Sequence, residues 1–215
     1  MSPYVLNQEH SVANHFLAGL RDTGLQQDRF RFRQNLKRLG SLLAYEMSKS
    51  LNYKAKRITT PLAEMEVDLI SDELVLIPIM RAALPFYEGF LEVFDQADSG
   101  FIGAWRVKNE GEIDAALNYM ATPDLSGKTV IVVDPMLATG KSLQRTIDGL
   151  MEQGQPKALK IASVIAAPEG VAYLENNISV DFELWTCAID EKLNENAYIV
   201  PGLGDAGDLA FGNKL

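Results

Sequence analysis

The stretch that decides the fold is residues 130–146, Val-Ile-Val-Val-Asp-Pro-Met-Leu-Ala-Thr-Gly-Lys-Ser-Leu-Gln-Arg-Thr. Its first four residues are all β-branched and apolar, which indicates a strand buried on both faces. Asp134 and Pro135 end this strand, because proline has no N–H to donate to a neighbouring strand. The chain then turns through small residues into a helix that we expect to begin near Ser142.

The turn at residues 138–142 has the composition of a phosphate-binding loop. Small residues let backbone N–H groups approach an anion, two hydroxyls can donate further bonds, and the helix N-terminus adds partial positive charge. A P-loop is a poor match, because the glycine that this motif needs five positions before Gly140 is replaced by Pro135. A sugar phosphate fits better, with Asp134 accepting from ribose hydroxyls. The alternative is the strand–turn–helix of a generic nucleotide-binding fold.

Strands and helices alternate along much of the chain. Residues 74–79 form a second apolar strand, and Arg81 follows it at the junction with a helix. In an open α/β sheet this is where ligands bind, and the guanidinium fork suits a pyrophosphate. Residues 101–105 form a third strand, which Arg106 follows in the same way. The alternation predicts an α/β fold with a central parallel sheet and right-handed crossovers.

Four motifs carry a family resemblance. Residues 134–140, Asp-Pro-Met-Leu-Ala-Thr-Gly, resemble the 5-phosphoribosyl 1-diphosphate (PRPP) loop of the phosphoribosyltransferases in the form typical of uracil phosphoribosyltransferases. Residues 198–208, Tyr-Ile-Val-Pro-Gly-Leu-Gly-Asp-Ala-Gly-Asp, are similar to the uracil-recognition segment of that family. Residues 78–84 and the pair Trp105-Arg106 resemble two further motifs in the family order. The chain is identified as a member on these grounds.

The resemblance implies a fold, a reaction and a site. The fold is a central parallel sheet flanked by helices, with a projecting β-arm and a C-terminal base-binding hood, in a single domain over residues 1–215. The reaction joins uracil to PRPP, releases diphosphate and forms UMP with Mg²⁺ as cofactor. The residues implied for PRPP binding are Arg81, Arg106, Asp134, Pro135, Met136, Leu137, Ala138, Thr139, Gly140, Lys141, Ser142 and Asp205. The residues implied for uracil binding are Ile199, Gly204, Asp205 and Ala206, and those implied for catalysis are Asp134, Arg106 and Asp205.

The composition of the chain argues against several classes of function. The net charge of −9 argues against nucleic acid as a partner, because phosphate neutralisation supplies most of that affinity. No apolar run reaches the roughly 18 residues of a membrane helix, and the first 20 residues do not resemble a signal peptide. The one cysteine fits a reducing cytoplasm. His10 and His15 do not share a helix face, so we expect no metal site made by the protein alone.

Several points stay open at this level. Lys141 stands where the family has a small residue, and it could crowd the phosphate or point outward and attract it. A non-catalytic nucleotide or PRPP sensor on the same fold is therefore an alternative to the enzyme, and a phosphoryl-transfer kinase is a weaker one. The basic residues at the start of the helix predicted over 28–51 form either a solvated face, an anion site or a subunit contact.

Two segments are expected to project from the sheet. Residues 52–71 predict two exposed strands, an arm that in the family packs on a second subunit, so the resemblance implies a homodimer or higher homo-oligomer. It also introduces GTP as an effector to be tested. Residues 107–119 turn polar and acidic and resemble the family's mobile loop over PRPP, with Gly111 as a hinge.

Overall fold

The computed structural model describes residues 2–109 and 112–213, and between residues 104 and 118 it describes the backbone course only. The helices in this part of the chain are α1 Ala13–Arg21, α2 Arg29–Ser48, α3 Leu84–Val93, α4 Lys141–Met151, α5 Pro168–Asn177 and α6 Ala206–Phe211. The strands are β1 Tyr4–Val5, β2 Tyr53–Thr59, β3 Glu64–Ile70, β4 Leu74–Met80, β5 Asp98–Ser99, β6 Phe101–Asn109, β7 Glu112–Ala121, β8 Thr129–Val133, β9 Met136–Leu137, β10 Ala158–Ala166, β11 Phe182–Ile189, β12 Lys192–Leu193 and β13 Ile199–Val200.

The central sheet has the strand order β1-β11-β10-β8-β4-β6-β7. All neighbours along this order are parallel except β6 and β7, which are antiparallel. The mostly parallel sheet predicted from the sequence is confirmed. Strand β8 lies at its centre, and its alternate residues belong to two different hydrophobic clusters: Ile131 and Val133 to one, Val130 and Val132 to the other. The strand is therefore buried on both faces, as its β-branched run predicted.

Helix α2 covers one face of the sheet and follows its sequence pattern closely. The apolar stripe predicted for it, Phe32, Leu36, Leu39, Leu43 and Met47, is fully buried. Asp28 caps its N-terminus by accepting a hydrogen bond from the Arg31 N–H at 3.0 Å. The helix thus carries the larger of the two cores, against α3 and the sheet.

The basic residues at the start of α2 are partly occupied by contacts within the chain. Arg33 Nη1 donates to the Ala210 carbonyl at 2.7 Å, and Lys37 Nζ pairs with Glu92 at 2.7 Å. Arg38 lies over the Phe16 ring, 5.2 Å from its centroid. These contacts favour a solvated, internally bridged face over an anion site.

The arm predicted at residues 52–71 is an antiparallel hairpin of β2 and β3. Nearly all of its residues are exposed, and Leu62 at its tip has 96% of its surface exposed. Asp72 holds the base of the hairpin, because its carboxylate accepts from the Asn52 N–H at 2.8 Å and from Lys157 Nζ at 2.6 Å.

The prediction of a loop over residues 107–119 was wrong. Strand β6 does not end at Trp105 but continues to Asn109, and β7 returns beside it. Arg106 therefore lies within a strand rather than after one. The polar composition of the segment concealed a period-two alternation of apolar residues in its second half, which is typical of a strand. Gly111, the predicted hinge, lies outside the described residues.

None of the helices in the described part of the chain is both long enough and apolar enough to span a bilayer.

Candidate active site

The candidate site lies at the carboxyl edge of the sheet, where β4 and β8 end side by side. Pro78 of β4 is in register with Val133 of β8. Arg81 and Asp134, which follow these two strands, are therefore brought to the same edge. This is the place where open α/β sheets bind ligands.

Asp134 is held in a fixed orientation by its own backbone environment. Its Oδ1 accepts from the Met136 N–H at 3.2 Å, and its N–H donates to the Ala162 carbonyl at 3.0 Å. Pro135 behind it is buried, and its carbonyl accepts from the N–H groups of Val164 and Ile165, both at 3.1 Å. The loop after β8 is thus attached to β10 from behind, partly through the short strand β9, which the sequence did not reveal.

The small-residue turn leads into α4 through a left-handed residue. Gly140 has φ +77° and occupies the N-cap, so the helix begins at Lys141, one residue before the predicted Ser142. The first helical hydrogen bond runs from the Gln144 N–H to the Gly140 carbonyl at 2.9 Å. The N–H groups before it have no partner within the helix and are available to an anion.

Helix α5 supports this turn through a close approach of backbone to backbone. A Cβ on Gly170 would lie 2.2 Å from the Ala138 carbonyl oxygen, and one on Gly140 would lie 3.0 Å from the Gly170 carbonyl oxygen. Gly170 therefore requires glycine, because a methyl group there would displace the turn, and the positive φ of Gly140 favours glycine at that position too.

Arg81 faces the turn from the end of β4. Its Nη2 donates to Asp208 Oδ1 and to the Gly212 carbonyl, both at 3.2 Å. Its Nε is buried and has no hydrogen-bond partner among the described residues. A buried donor without a partner is costly, so this N–H is suited to an anionic ligand.

The glycine-rich segment, residues 198–208, forms a hood over the site. Asp205 caps α6, since its Oδ1 accepts from the Asp208 N–H at 3.0 Å. Glu169 at the start of α5 accepts from the Leu193 N–H at 2.9 Å, and this hydrogen bond holds the pKa of Glu169 below its ordinary value. Leu193 belongs to β12, which pairs with β13 of the hood, so the hood is connected through β12 to the helix that supports the small-residue turn.

The small-residue turn, the end of β4 with Arg81, and the hood enclose a cleft of about 200 Å³. Most of the predicted site residues line it: Arg81, Asp134, Met136, Leu137, Ala138, Thr139, Gly140, Ser142, Ile199, Gly204, Asp205 and Ala206. Pro135 is buried behind the turn, and Lys141 is exposed at the start of α4, so neither belongs to this lining. The side chain of Arg106 lies outside the described part of the structure.

Sequence reasoning missed several residues of the cleft. Ala82 lines the cleft next to Arg81, and Ala197, Tyr198 and Gly207 line it on the side of the hood. Tyr198 is the most informative of them, because an aromatic side chain that is 45% exposed beside a candidate base site offers a stacking surface. Its position inside the quoted hood segment was the available signal.

The carboxylates of the cleft determine which metal ion it could hold. Among the described residues, no group of three or more His, Cys, Asp or Glu is placed to hold a metal ion. Asp134 and Asp205 are the only carboxylates in the described lining. This donor set fits a Mg²⁺ ion that enters with a phosphate ligand, because Mg²⁺ commonly combines one or two carboxylates with substrate phosphates.

Comparison with known proteins identifies the family. The family model described as uracil phosphoribosyltransferase matches residues 7–213. Uracil phosphoribosyltransferase from Porphyromonas gingivalis is 44% identical over 98% of both chains, and that from Pyrococcus furiosus is 37% identical over 100% of this chain and 88% of its own. Among solved structures, the AQ2163 protein from Aquifex aeolicus superposes with a TM-score of 0.86 at 35% identity, over 95% of this chain and 96% of its own. A hypoxanthine-guanine phosphoribosyltransferase from Bacillus anthracis, at 18% identity and a TM-score of 0.50 over 75% of this chain and 80% of its own, shares the fold alone. The chain belongs to the uracil phosphoribosyltransferase family.

Proposed function

We propose that this enzyme forms UMP and diphosphate from uracil and PRPP, in the cleft at the carboxyl edge of the sheet. Residues 138–142 hold the 5′-phosphate, Asp134 accepts from the ribose hydroxyls, and Arg81 with Arg106 binds the diphosphate. Asp205 lies at the base end, where it contacts both substrates. The family match gives no support to the non-catalytic sensor or to the kinase.

The observation that supports this assignment best is the placement of Arg81 between the other two parts of the cleft. Its buried Nε has no partner among the described residues, and Arg81 lines the same cleft as the small-residue turn and the hood. We infer that a diphosphate bound there would carry a phosphoribosyl group on the turn, with its anomeric carbon toward the hood.

In the reaction, a ring nitrogen of uracil forms a bond to the anomeric carbon while the bond from that carbon to the diphosphate oxygen breaks. The bonding electrons leave with the diphosphate, so the anomeric carbon becomes positively charged in the course of the reaction. The ring nitrogen gives its proton to solvent water. The chain contributes by aligning the two reactants and stabilising charge on the leaving group, so no covalent nucleophile is needed. Asp134 and Asp205 would hold Mg²⁺ together with the diphosphate oxygens, and the ion would offset the charge of the leaving group.

Base choice is assigned to the backbone of the hood. Ile199, Gly204 and Ala206 line the cleft without any polar side-chain group. Uracil presents two carbonyl acceptors around one N–H donor, and a set of backbone N–H and C=O groups can match this edge. Cytosine reverses two of these three positions and would leave backbone groups unpaired in a dry site.

The test is a panel of bases with PRPP and Mg²⁺, followed by nucleotide and diphosphate release. We expect uracil and 5-fluorouracil to be used, because fluorine leaves the recognised edge intact, and cytosine to be rejected by about 10⁴–10⁵ in kcat/KM. Hypoxanthine is the purine control. Use of cytosine or hypoxanthine within tenfold of uracil would overturn the assignment, and chelation of Mg²⁺ should abolish turnover.

The oligomeric state, the cellular location and the effect of GTP belong to the same proposal. The exposed apolar residues of the β2–β3 arm, including Ile58, Leu62 and Met65, support a homodimer or higher homo-oligomer in which the arm packs on a second subunit. Light scattering coupled to size exclusion tests this. The single domain over residues 1–215, the cytoplasmic location and the effect of GTP stay predictions, the last of which is tested by adding GTP to the assay.

A further inference from the structure

A nearly buried ion pair lies behind the hood, outside the cleft. Arg21, the last residue of α1, makes a two-pronged contact with Asp190: Nη2 donates to Oδ1 at 2.6 Å and Nη1 to Oδ2 at 2.8 Å. The Asp190 side chain is 5% exposed and that of Arg21 is 24% exposed. Neither residue lines the cleft.

The pair holds the backbone of the hood at Gly202 from both sides. Arg21 Nη1 also donates to the Gly202 carbonyl at 2.9 Å, and Asp190 Oδ2 accepts from the Gly202 N–H at 2.9 Å. One residue further on, the Leu203 carbonyl accepts from Gln26 Nε2 at 3.3 Å. The ion pair therefore fixes both polar groups of one hood residue, two positions before Gly204, which lines the cleft.

Both residues of this ion pair are attached to regular secondary structure that belongs to the core. Asp190 directly follows β11, and its N–H donates to the Ala166 carbonyl of β10 at 2.8 Å. Helix α1 is anchored in the core by Leu17 and Leu20, which are 5% and 0% exposed. The hood segment is thus positioned relative to the same sheet edge that carries Asp134.

We propose that Arg21 and Asp190 are positioning residues that set uracil affinity and base selectivity by fixing the hood backbone at Gly202. This inference rests on the proposed function. Where a base is recognised by backbone groups, no side-chain rotation can correct a shift of the loop, so its placement determines the fit directly.

The role of Arg21 follows from the two acceptors that it bridges. Its Nη1 donates to Asp190 Oδ2 and to the Gly202 carbonyl oxygen. Without the guanidinium, the nearly buried carboxylate would lose its counter-charge and keep only the Gly202 N–H, while the Gly202 carbonyl oxygen would lose its donor. The repulsion between the carboxylate and the carbonyl oxygen would then move the loop. Lysine restores the charge but not the two-pronged geometry, so it should restore part of the function.

The experiment compares Arg21→Met, Arg21→Lys and Asp190→Asn with the unaltered enzyme. We expect Arg21→Met to raise the KM for uracil by about 10- to 100-fold, because displacements of about 1 Å have effects of this size. The KM for PRPP should stay nearly unchanged, and the preference for uracil over cytosine should fall. Arg21→Lys should show a smaller effect in the same direction.

The matched control is Lys157→Met, which breaks a comparable pair with the buried Asp72, 2.6 Å long, at the opposite edge of the sheet. It should lower the melting temperature without changing the KM for uracil. Amide hydrogen exchange gives a readout independent of turnover: the Gly202 N–H should lose protection in Arg21→Met and Asp190→Asn but keep it in the control. If Arg21→Met does not fold, Arg21→Lys and Asp190→Asn carry the comparison.

The outcomes separate the two claims. If the unaltered protein forms no UMP from uracil, the proposed function fails and this inference fails with it. If it forms UMP but the folded variants keep the wild-type KM for uracil, or show equal increases in KM for uracil and PRPP, the inference alone is overturned.

Discussion

Arg81 Nη2 lies 3.2 Å from Asp208 Oδ1, so the arginine at the end of β4 is joined to α6, whose first residues belong to the hood. The contact joins the carboxyl end of β4 to the C-terminal part of the chain. It occupies one nitrogen of the guanidinium and leaves the buried Nε for a ligand.

The first prediction concerns this arginine. Arg81→Met removes the charge and the unpaired donor, so kcat/KM for PRPP should fall by the equivalent of about 1.5–3 kcal/mol, the usual value of a hydrogen bond to a charged group. Steady-state kinetics with PRPP varied at saturating uracil measure the change. Lys128→Met, which breaks the pair with Asp98 at the amino end of β8, is the control and should have little effect. An Arg81→Met enzyme as active as the control would place diphosphate elsewhere.

The second prediction concerns Asp134. Asp134→Asn preserves the shape but removes the charge, and the loss of a charge-assisted acceptor for the ribose should weaken use of PRPP by about 1.5–3 kcal/mol. The Asp98→Asn enzyme is the matched control, since its carboxylate pairs with Lys128 outside the cleft. Unchanged kcat/KM for PRPP would show that the carboxylate does not contact the ribose.

The third prediction concerns Lys141, which is exposed and absent from the cleft lining. An outward lysine at the start of α4 attracts PRPP through solvent. Lys141→Gly should therefore raise the KM for PRPP only by a factor equivalent to about 0.2–1 kcal/mol of binding free energy. The effect should disappear at high salt, because exposed charges are screened. Lys141→Gln separates charge from bulk. A lower KM in Lys141→Gly would instead indicate that the lysine crowds the phosphate.

The fourth prediction concerns Cys187, the one cysteine of the chain. It is fully buried in β11, and burial raises the pKa of its thiol well above the ordinary value. The reactive thiolate is therefore scarce and inaccessible in the folded protein. A chromogenic thiol reagent at pH 8 should label no cysteine in the native state and one per chain in denaturant. Rapid labelling of native protein would contradict the burial.

The sequence predicted the elements whose patterns are local. The β-branched run of β8, the apolar stripe of α2 and the strand ends at Arg81 and Asp134 all lie where they were expected. Strand β7 was missed because its charged residues hid the alternation of apolar residues. Strand β9 was missed because a strand of two residues is too short to show any alternation. The joining of Arg81 to Asp208 and of Arg21 to Asp190 depends on tertiary packing between residues far apart in the chain, so no local pattern could have revealed it.

Gly170 touches the small-residue turn with its backbone, yet it is buried in α5 and is not part of the cleft lining. A residue outside the cleft lining thus carries a steric requirement imposed by the turn that lines it. For protein engineering, this means that the boundary of the site cannot be drawn at the residues a ligand would touch. A library that keeps every cleft residue but varies the first turn of α5 would still displace the small-residue turn, and the resulting loss of activity would be misattributed to folding.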